Sequence, residues 1–229
     1  MAGGSAIRFP KGEEDMKSVD LMIFDLDGTL VNSGTDIARS VVHMLATLGL
    51  PARTEEKILT FVGNGLPKLV ERSIGPDHAD LLDHALEIFE RYYEKHLLDT
   101  TCLYPGVAQM LDHYGTKKKL IVTNKRVVYA KRIAEFLGIA DRFDGILGEK
   151  STPYMKPDLR LMEAILALYP QERERTVVIG DGLADIRFAK NAGTISCAYL
   201  NGLTPRETLS AACPDFAYEH PRELREFLV

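Results

Sequence analysis

The pentapeptide Asp25-Leu26-Asp27-Gly28-Thr29 is the densest group of residues in this chain that could do chemistry. Residues two apart in an extended chain project to the same side, so the carboxylates of Asp25 and Asp27 can face one ligand. Gly28 allows a backbone conformation that other residues resist. Such a pair suits covalent catalysis, in which one carboxylate attacks as a nucleophile while the other exchanges a proton with the leaving group.

Two other interpretations of this pentapeptide stay open. A calcium-binding loop needs Asp or Asn at its fifth position, Gly at its sixth and usually Glu at its twelfth. Counted from Asp25, the chain has Thr29, Leu30 and Asp36 at these positions, and an apolar run instead of a helix precedes it. Calcium is therefore disfavoured, and the remaining alternative is a polar turn with no chemical role.

Three short apolar runs end in polar residues, and the pentapeptide follows the first of them. The runs are Leu21–Phe24 before Asp25, Leu120–Val122 before Thr123-Asn124, and Val177–Ile179 before Gly180-Asp181. Unbroken apolar runs of this length are typical of strands buried on both faces, as in a parallel sheet. Ligands of open parallel α/β sheets bind beyond the carboxyl ends of the strands, so these polar residues are predicted to converge on one crevice.

Helical patterns alternate with the apolar runs. Helices are predicted over residues 37–48, 126–137 and 183–192, and each is followed by a glycine, which commonly ends a helix. Later strands are predicted over Ile195–Leu200 and Phe216–Tyr218. This alternation predicts an α/β fold with a Rossmann-like open parallel sheet and right-handed crossovers.

One stretch breaks the alternation, because residues 34–100 have helical periodicity and no convincing strand. Leu81 to His96 marks one long amphipathic helix within it, and Phe89, Tyr92 and Tyr93 are expected to fill the segment's own core. We therefore predict a second small, all-helical domain inserted at 34–100. The α/β core is predicted over 19–33 and 101–229, after a polar N-terminal tail at 1–18.

Composition and charge exclude several classes of protein. Hydrophobic residues make up 45% and charged residues 27%, close to the averages of globular domains, and the net charge of −5 is not that of a nucleic-acid or anionic-membrane binder. No apolar stretch approaches the roughly 18 residues of a membrane span, and residues 1–17 lack the apolar region of a signal peptide. Three cysteines without a Cys-x-x-Cys pattern favour reduced thiols. We expect a cytoplasmic protein with no nucleic-acid or membrane partner.

The polar residues after the runs, taken in order, resemble the motifs of haloacid-dehalogenase-superfamily phosphatases. The motifs are Asp25–Leu30, Thr123-Asn124, Lys156-Pro157, and Gly180-Asp181 with Asp185. Each motif is short, but four in the right order, three of them directly after apolar runs, are specific. The resemblance covers the chain from about residue 19 onward. The chain departs from the family pattern at Arg126 and Leu159, where proline is frequent, and at Gly182, where Ser or Thr is frequent.

The resemblance implies a Mg²⁺-dependent phosphomonoester hydrolase that works through an aspartyl-phosphate. Asp25 is then the nucleophile, and Asp27 protonates the leaving alkoxide and later activates water. Both Asp25 and a phosphate ester are anionic, and their repulsion at about 4 Å is roughly 4 kcal/mol at an effective dielectric of 20, so attack requires nearby positive charge. The resemblance implies Mg²⁺ held by the carboxylates of Asp25 and Asp181 and by the backbone carbonyl of Asp27.

The resemblance also implies roles for the remaining motif residues. Lys156 would place a second cation on the phosphoryl group, and Thr123 and Asn124 would donate hydrogen bonds to its oxygens. Asp185, one helical turn after Asp181, would orient Lys156 or a metal-bound water. Without the resemblance, Thr123-Asn124 could cap a helix, Lys156 could be a solvated lysine, and the two aspartates could favour a helix start.

The helical insertion resembles the cap of this superfamily, which closes over the site and excludes water. Phe61-Val62-Gly63-Asn64-Gly65 and Lys125 resemble the phosphoglycolate-phosphatase branch, which implies 2-phosphoglycolate as the small-molecule phosphate ester. The Gly-x-Gly segment could also be only a tight turn. The chain is expected to act as a monomer or homodimer.

Other functions stay open. A phosphosugar mutase shares the first motif and a helical cap, and a phosphatase of another small metabolite in the same superfamily is a further alternative. A haloalkanoic-acid dehalogenase needs neither Mg²⁺ nor a proton donor two residues after its nucleophile, so Asp27 argues against it. The non-enzymatic alternative is a regulatory binder without turnover, which the presence of every expected catalytic residue disfavours.

Overall fold

The computed structural model describes residues 16–229, so most of the predicted N-terminal tail lies outside the described residues. The end of that tail is paired with the C-terminus. The Lys17 amide donates to the carbonyl of Phe227 at 2.8 Å, and the Val229 amide donates to the carbonyl of Lys17 at 2.9 Å. Within the described residues, backbone pairing is first seen at Lys17, just before the predicted start of the core.

The described residues contain eight strands: β1 (Leu21–Phe24), β2 (Val31–Asn32), β3 (Cys102–Leu103), β4 (Lys118–Arg126), β5 (Gly145–Glu149), β6 (Thr176–Gly180), β7 (Ile195–Tyr199) and β8 (Phe216–Tyr218). All but β2 and β3 form one parallel sheet in the order β5-β4-β1-β6-β7-β8. The predicted α/β class with an open, Rossmann-like parallel sheet is confirmed.

Helices connect these strands. They are α1 (Gly34–Thr47), α2 (Glu55–Leu59), α3 (Leu66–Ile74), α4 (Leu82–His96), α5 (Val107–His113), α6 (Val127–Phe136), α7 (Leu159–Leu168), α8 (Leu183–Ala192) and α9 (Arg206–Ala211). The predicted helix at 183–192 matches α8 at both ends, and Gly193 follows in the left-handed conformation with φ 68°. Within residues 16–229, no helix has the length and apolar character needed to span a bilayer.

The core lies on both faces of the sheet, because alternate residues of a strand point to opposite sides. Leu21 and Ile23 of β1 pack with Phe188 of α8 on one face. Met22 and Phe24 belong to the larger cluster on the other face. All four residues of β1 are fully buried, which explains the unbroken apolar run.

Residues 34–100 leave and rejoin the α/β part through a short antiparallel pair, β2 with β3, which we call the neck. The helices α1 to α4 lie between these two strands, and residues 34–100 contain no strand. Asp36 ties the segment's two ends together, because its buried carboxylate accepts hydrogen bonds from the backbone and hydroxyl groups of Thr100 and Thr101. The helical segment is thus connected to the α/β part through this one pair of adjacent strands.

The structure differs from the prediction at the end of the second apolar run. Thr123 and Asn124 were expected to follow the second strand, but β4 continues through them to Arg126. The pairing of β4 with β5 changes register between Val122 and Arg126, so this end of the strand is irregular. Because of this irregularity, consecutive polar side chains at the carboxyl end of β4 contact different neighbours.

Candidate active site

The carboxyl ends of β1, β4 and β6 bring the predicted site residues together. Asp25 directly follows β1, and its amide donates to the carbonyl of Ile179 in β6 at 2.8 Å. Asp181 directly follows β6, which pairs with β1 along its whole length. The parallel register therefore sets the first and fourth motifs side by side, although 156 positions separate Asp25 from Asp181.

Lys156 links two of the aspartates. Its ammonium nitrogen lies 2.8 Å from Asp25 Oδ1 and 2.6 Å from Asp185 Oδ1, and its side chain is 2% exposed. Burial lowers the pKa of Lys156, but Asp185 and Asp25 outweigh burial and raise it, so the side chain stays charged. The other Asp185 oxygen accepts the Gly182 amide at 3.0 Å. Both oxygens of Asp185 are thus hydrogen-bonded within the protein, and they hold the Lys156 ammonium and the Gly182 amide in place.

Asp181 is buried against the same group. Its carboxylate accepts the Thr29 hydroxyl at 2.8 Å and the Leu203 amide at 2.7 Å. Burial, with repulsion from Asp25 and Asp185, raises the pKa of Asp181 to about 8. The nearby Gly28 has φ 85°, and a side chain there would overlap Asp181, so only glycine fits.

These residues have the composition of a divalent cation site. One oxygen from each of Asp25, Asp181 and Asp185 lies within 4.8 Å of the others. When all three carboxyl groups are ionised, the Lys156 ammonium balances one negative charge and leaves two, which a divalent ion would balance. Carboxylate oxygens are the donors that Mg²⁺ prefers. The residues present therefore fit the predicted cofactor.

Asp27 faces a different partner, which the sequence analysis missed. The Lys125 ammonium donates to both Asp27 oxygens, at 3.0 and 2.9 Å, and the Ser33 hydroxyl donates to Oδ1 at 2.5 Å. The side chains of Lys125 and Asp27 are only 8% and 10% exposed. Lys125 was noted only as part of a family resemblance. No local pattern marks it as the partner of a residue 98 positions away.

The side-chain donors of Asn124, which was predicted to bond phosphoryl oxygens, are used within the protein in this structure. Its amide group donates to the carbonyls of Gly63 and Lys156, both at 3.0 Å, and its oxygen accepts the Lys156 amide at 2.9 Å. These bonds use both donors, so Asn124 positions the Lys156 loop and the Gly63 turn instead. Thr123 is buried nearby, and its hydroxyl oxygen accepts the Lys125 amide at 3.2 Å, which leaves its O–H available to donate.

Two cavities meet at Asp25 and Asp27. One, of about 310 Å³, also borders Asp181 and Asp185. The other, of about 70 Å³, lies between the sheet edge and the helical segment; its lining includes Thr123, Lys125, Arg126, Val62, Leu66, Phe89 and Tyr93. Phe89 and Tyr93 were expected to fill only the segment's own core, and they also line this cavity. Asp25 and Asp27 can therefore act on a substrate that extends into both cavities.

Comparison with known proteins agrees with this geometry. The sequence profile described as "Haloacid dehalogenase-like hydrolase" matches residues 22–199. A protein named phosphoglycolate phosphatase from Vibrio parahaemolyticus is 32% identical over 92% of this chain and 96% of its own length. Another protein of that name, from Chromobacterium violaceum, is 35% identical over 86% of this chain and 92% of its own length.

A solved structure has the same fold. The crystal structure of "a predicted phosphoglycolate phosphatase" from Haemophilus somnus superposes with a TM-score of 0.83 at 27% identity. The superposition covers 90% of this chain and 96% of that one. With the profile match spanning most of its length, this chain belongs to the haloacid dehalogenase-like hydrolase family.

Proposed function

We propose that this chain is a Mg²⁺-dependent phosphatase that hydrolyses a small phosphate monoester through an aspartyl-phosphate on Asp25. The observation that carries the proposal is the meeting of Asp25, Lys156, Asp181 and Asp185 in one buried group at the carboxyl ends of β1 and β6. A nucleophile, a fixed cation and a divalent-ion site are the parts that phosphoryl transfer to a carboxylate requires.

In the first step an Asp25 oxygen bonds to phosphorus while the bond from phosphorus to the ester oxygen breaks. Asp27 gives its proton to the departing alkoxide, which leaves as an alcohol. Lys156 holds Asp25 through Oδ1 and adds positive charge near the transferring group. Thr123 lines the adjoining cavity with its O–H available to a phosphoryl oxygen.

In the second step Asp27 takes a proton from water, whose oxygen attacks phosphorus. The bond between phosphorus and Asp25 then breaks, which releases inorganic phosphate and restores both carboxyl groups. Lys125 and Ser33 hold the Asp27 side chain in place through both steps. Water exclusion by the surrounding residues protects the acyl-phosphate from other reactions.

The carboxylates of Asp25 and Asp181, with the Asp27 backbone carbonyl, would hold Mg²⁺, and Asp185 would support Lys156. When bound, the ion would screen the repulsion between the attacking carboxylate and the phosphoryl oxygens.

We propose 2-phosphoglycolate as a substrate, with residues 34–100 as a cap over the site. Val62, Leu66, Phe89 and Tyr93 of this segment line the smaller cavity. A water-sized group occupies about 10–15 Å³ of such space, so the 70 Å³ cavity holds roughly five to seven of them. A two-carbon leaving group fits that size, and the relatives are named for the same ester.

We also propose that the protein is cytoplasmic and that it acts as a monomer or homodimer. Cys102, Cys197 and Cys213 are all unpaired thiols in the structure. Unpaired thiols are usual in reducing compartments.

The test is phosphate release from 2-phosphoglycolate with Mg²⁺, with EDTA, and in Asp25→Asn. The matched control is Asp20→Asn, because Asp20 precedes the same strand at its opposite end and pairs with Arg175 on the surface. We expect hydrolysis in the wild type and the control only, and only with Mg²⁺. Full activity of Asp25→Asn, or in EDTA, would refute the scheme. Sugar-phosphate interconversion without phosphate release would favour a mutase.

A further inference from the structure

The Asn124 side chain joins the loop that carries Lys156 to the helical segment. Its amide nitrogen donates one hydrogen bond to the carbonyl of Gly63 and another to the carbonyl of Lys156, both at 3.0 Å. Its oxygen accepts the Lys156 amide at 2.9 Å. Asn124 is 5% exposed, so a partner lost at this position is not readily replaced by water. One buried amide group thus bonds to both parts of the protein at once.

The loop of residues 150–158 has no regular element that could fix Lys156. It connects β5 to α7, and it contains no helix and no strand. Both backbone polar groups of Lys156 bond to the Asn124 side chain instead. The Lys156 ammonium can reach Asp25 and Asp185 only while its backbone is held in this position. Asn124 therefore sets the place from which Lys156 extends into the site.

Residues 60–65, which form the Gly63 turn between α2 and α3, lie against the same loop. Gly63 and Gly65 have φ values of 108° and 84°, in the region that favours glycine. A side chain at Gly65 would come within 3.4 Å of Met155 Cε and 3.5 Å of the Asn124 carbonyl oxygen. Gly63 also borders both cavities that meet at the aspartate pair. The turn is thus in contact with the proposed site and with the Lys156 loop.

The two donors of the Asn124 nitrogen cannot move independently. Both N–H groups belong to one amide, so a rotation that follows the Gly63 carbonyl also redirects the bond to the Lys156 carbonyl. Hydrogen bonds weaken steeply as their angle departs from linear. A shift of the Gly63 turn therefore weakens the bonds that hold the Lys156 backbone.

We propose that Asn124 is a positioning residue that makes the placement of Lys156 depend on the position of the Gly63 turn. The catalytic consequence rests on the proposed phosphatase function, whereas the mechanical link does not. Lys156 adds positive charge to the phosphoryl group while it transfers, so a displaced Lys156 lowers kcat more than it changes KM. The chain then reaches its full rate only while the helical segment contacts the Lys156 loop through this turn.

The first experiment measures hydrogen exchange of the backbone amides in residues 150–158 by mass spectrometry, without substrate. Gly63→Ala places a side chain where φ is 108° and where no other atom lies within 4 Å, so it disturbs the turn through backbone strain alone. Gly63→Ala and Asn124→Ala should each speed exchange in 150–158 at least about fivefold, because each weakens the bonds to Lys156. In the double variant, Gly63→Ala should add nothing to the effect of Asn124→Ala.

Gly49→Ala is the matched control. Gly49 lies in the same helical segment with φ 68°, and a side chain there also meets no atom within 4 Å. It should leave exchange in residues 150–158 unchanged. Exchange there that is insensitive to Gly63→Ala, or single effects that simply multiply in the double variant, would overturn the coupling. Gly63→Ala retains Asn124, so it tests the link even if Asn124→Ala does not fold.

The second experiment measures phosphate release from 2-phosphoglycolate with Mg²⁺. Asn124→Ala should lower kcat about tenfold or more while KM changes by less than about threefold. Gly49→Ala should keep the wild-type kcat. A merely structural role for Asn124 would lower the free energy of unfolding but leave the kcat of the folded protein unchanged, and that result would overturn the catalytic role. Coupled exchange without any hydrolysis by the wild type would support the link and refute the phosphatase proposal.

Discussion

Replacing Asp181 with asparagine should flatten the pH dependence of stability in the metal-free protein and remove its response to Mg²⁺. Asp181 is 3% exposed, and burial together with Asp25 and Asp185 raises its pKa to about 8. Asparagine has the same shape. Its oxygen can accept the Leu203 amide, and its amide can donate to the Thr29 hydroxyl, which is free to rotate.

The size of the effect follows from the two pKa values. An aspartate in the unfolded chain titrates near 3.8, while Asp181 in the folded protein titrates near 8. Between these values the folded protein binds a proton that the unfolded chain has released. The stability that this proton provides is complete below pH 3.8 and is lost as the pH rises toward 8. The free energy of unfolding therefore falls by up to about 1.4 kcal/mol per pH unit.

Urea unfolding of both proteins in EDTA, from about pH 5 to about pH 8, measures this slope. The wild type should lose stability more steeply than Asp181→Asn, and the difference between the curves isolates Asp181. Added Mg²⁺ should stabilise the wild type according to RT ln(1 + [Mg²⁺]/Kd), and more strongly at high pH, where no proton competes for the site. Asp181→Asn should gain little.

Parallel curves for the two proteins in EDTA would refute the reasoning, because they would mean that Asp181 titrates alike in the folded and unfolded states. Equal stabilisation of both proteins by Mg²⁺ would refute the assignment of Asp181 to the ion.

Two further substitutions test the positioning of the site and of the helical segment. Lys156→Met leaves Asp25 and Asp185 buried without their cation, so it should cost about 3–5 kcal/mol of stability. It should also lower the rate of phosphate release at least about 100-fold. Hydrolysis at a rate near that of the wild type would contradict the role given to Lys156. Asp36→Ala leaves the buried amides at the end of the helical segment without an acceptor, and should cost about 2–5 kcal/mol in urea unfolding. A cost below about 0.5 kcal/mol would show that this tie is dispensable.

The parts of the fold that could be predicted share one physical cause. Strands buried on both faces of a parallel sheet must be apolar throughout, and their carboxyl ends all lie at one edge. The runs before Asp25 and Asp181 therefore predicted both the central strands and the meeting of the two aspartates. The strand β5 was missed because Gly145 and Gly148 interrupt its apolar pattern. The two-residue strands β2 and β3 exist only through pairing with each other.

The site was predictable where a residue's role depends on its own motif, and not where it depends on a distant partner. Lys125 acquires its role from Asp27, far away along the chain. Asn124 has the donors for a phosphoryl contact, but the Gly63 turn and the Lys156 loop use them. Leu203 contributes only a backbone amide, which no side-chain pattern marks.

The neck has an evolutionary consequence. Because β2 and β3 run side by side, the point where residues 34–100 depart and the point where they return are adjacent. The pairing of β1 with β4 and β6 does not pass through that segment. A different insert whose ends lie equally close could be spliced at the same place without shifting the aspartates. New substrate preferences can thus arise by exchange of one contiguous stretch of gene, while the hydrolytic chemistry is inherited unchanged.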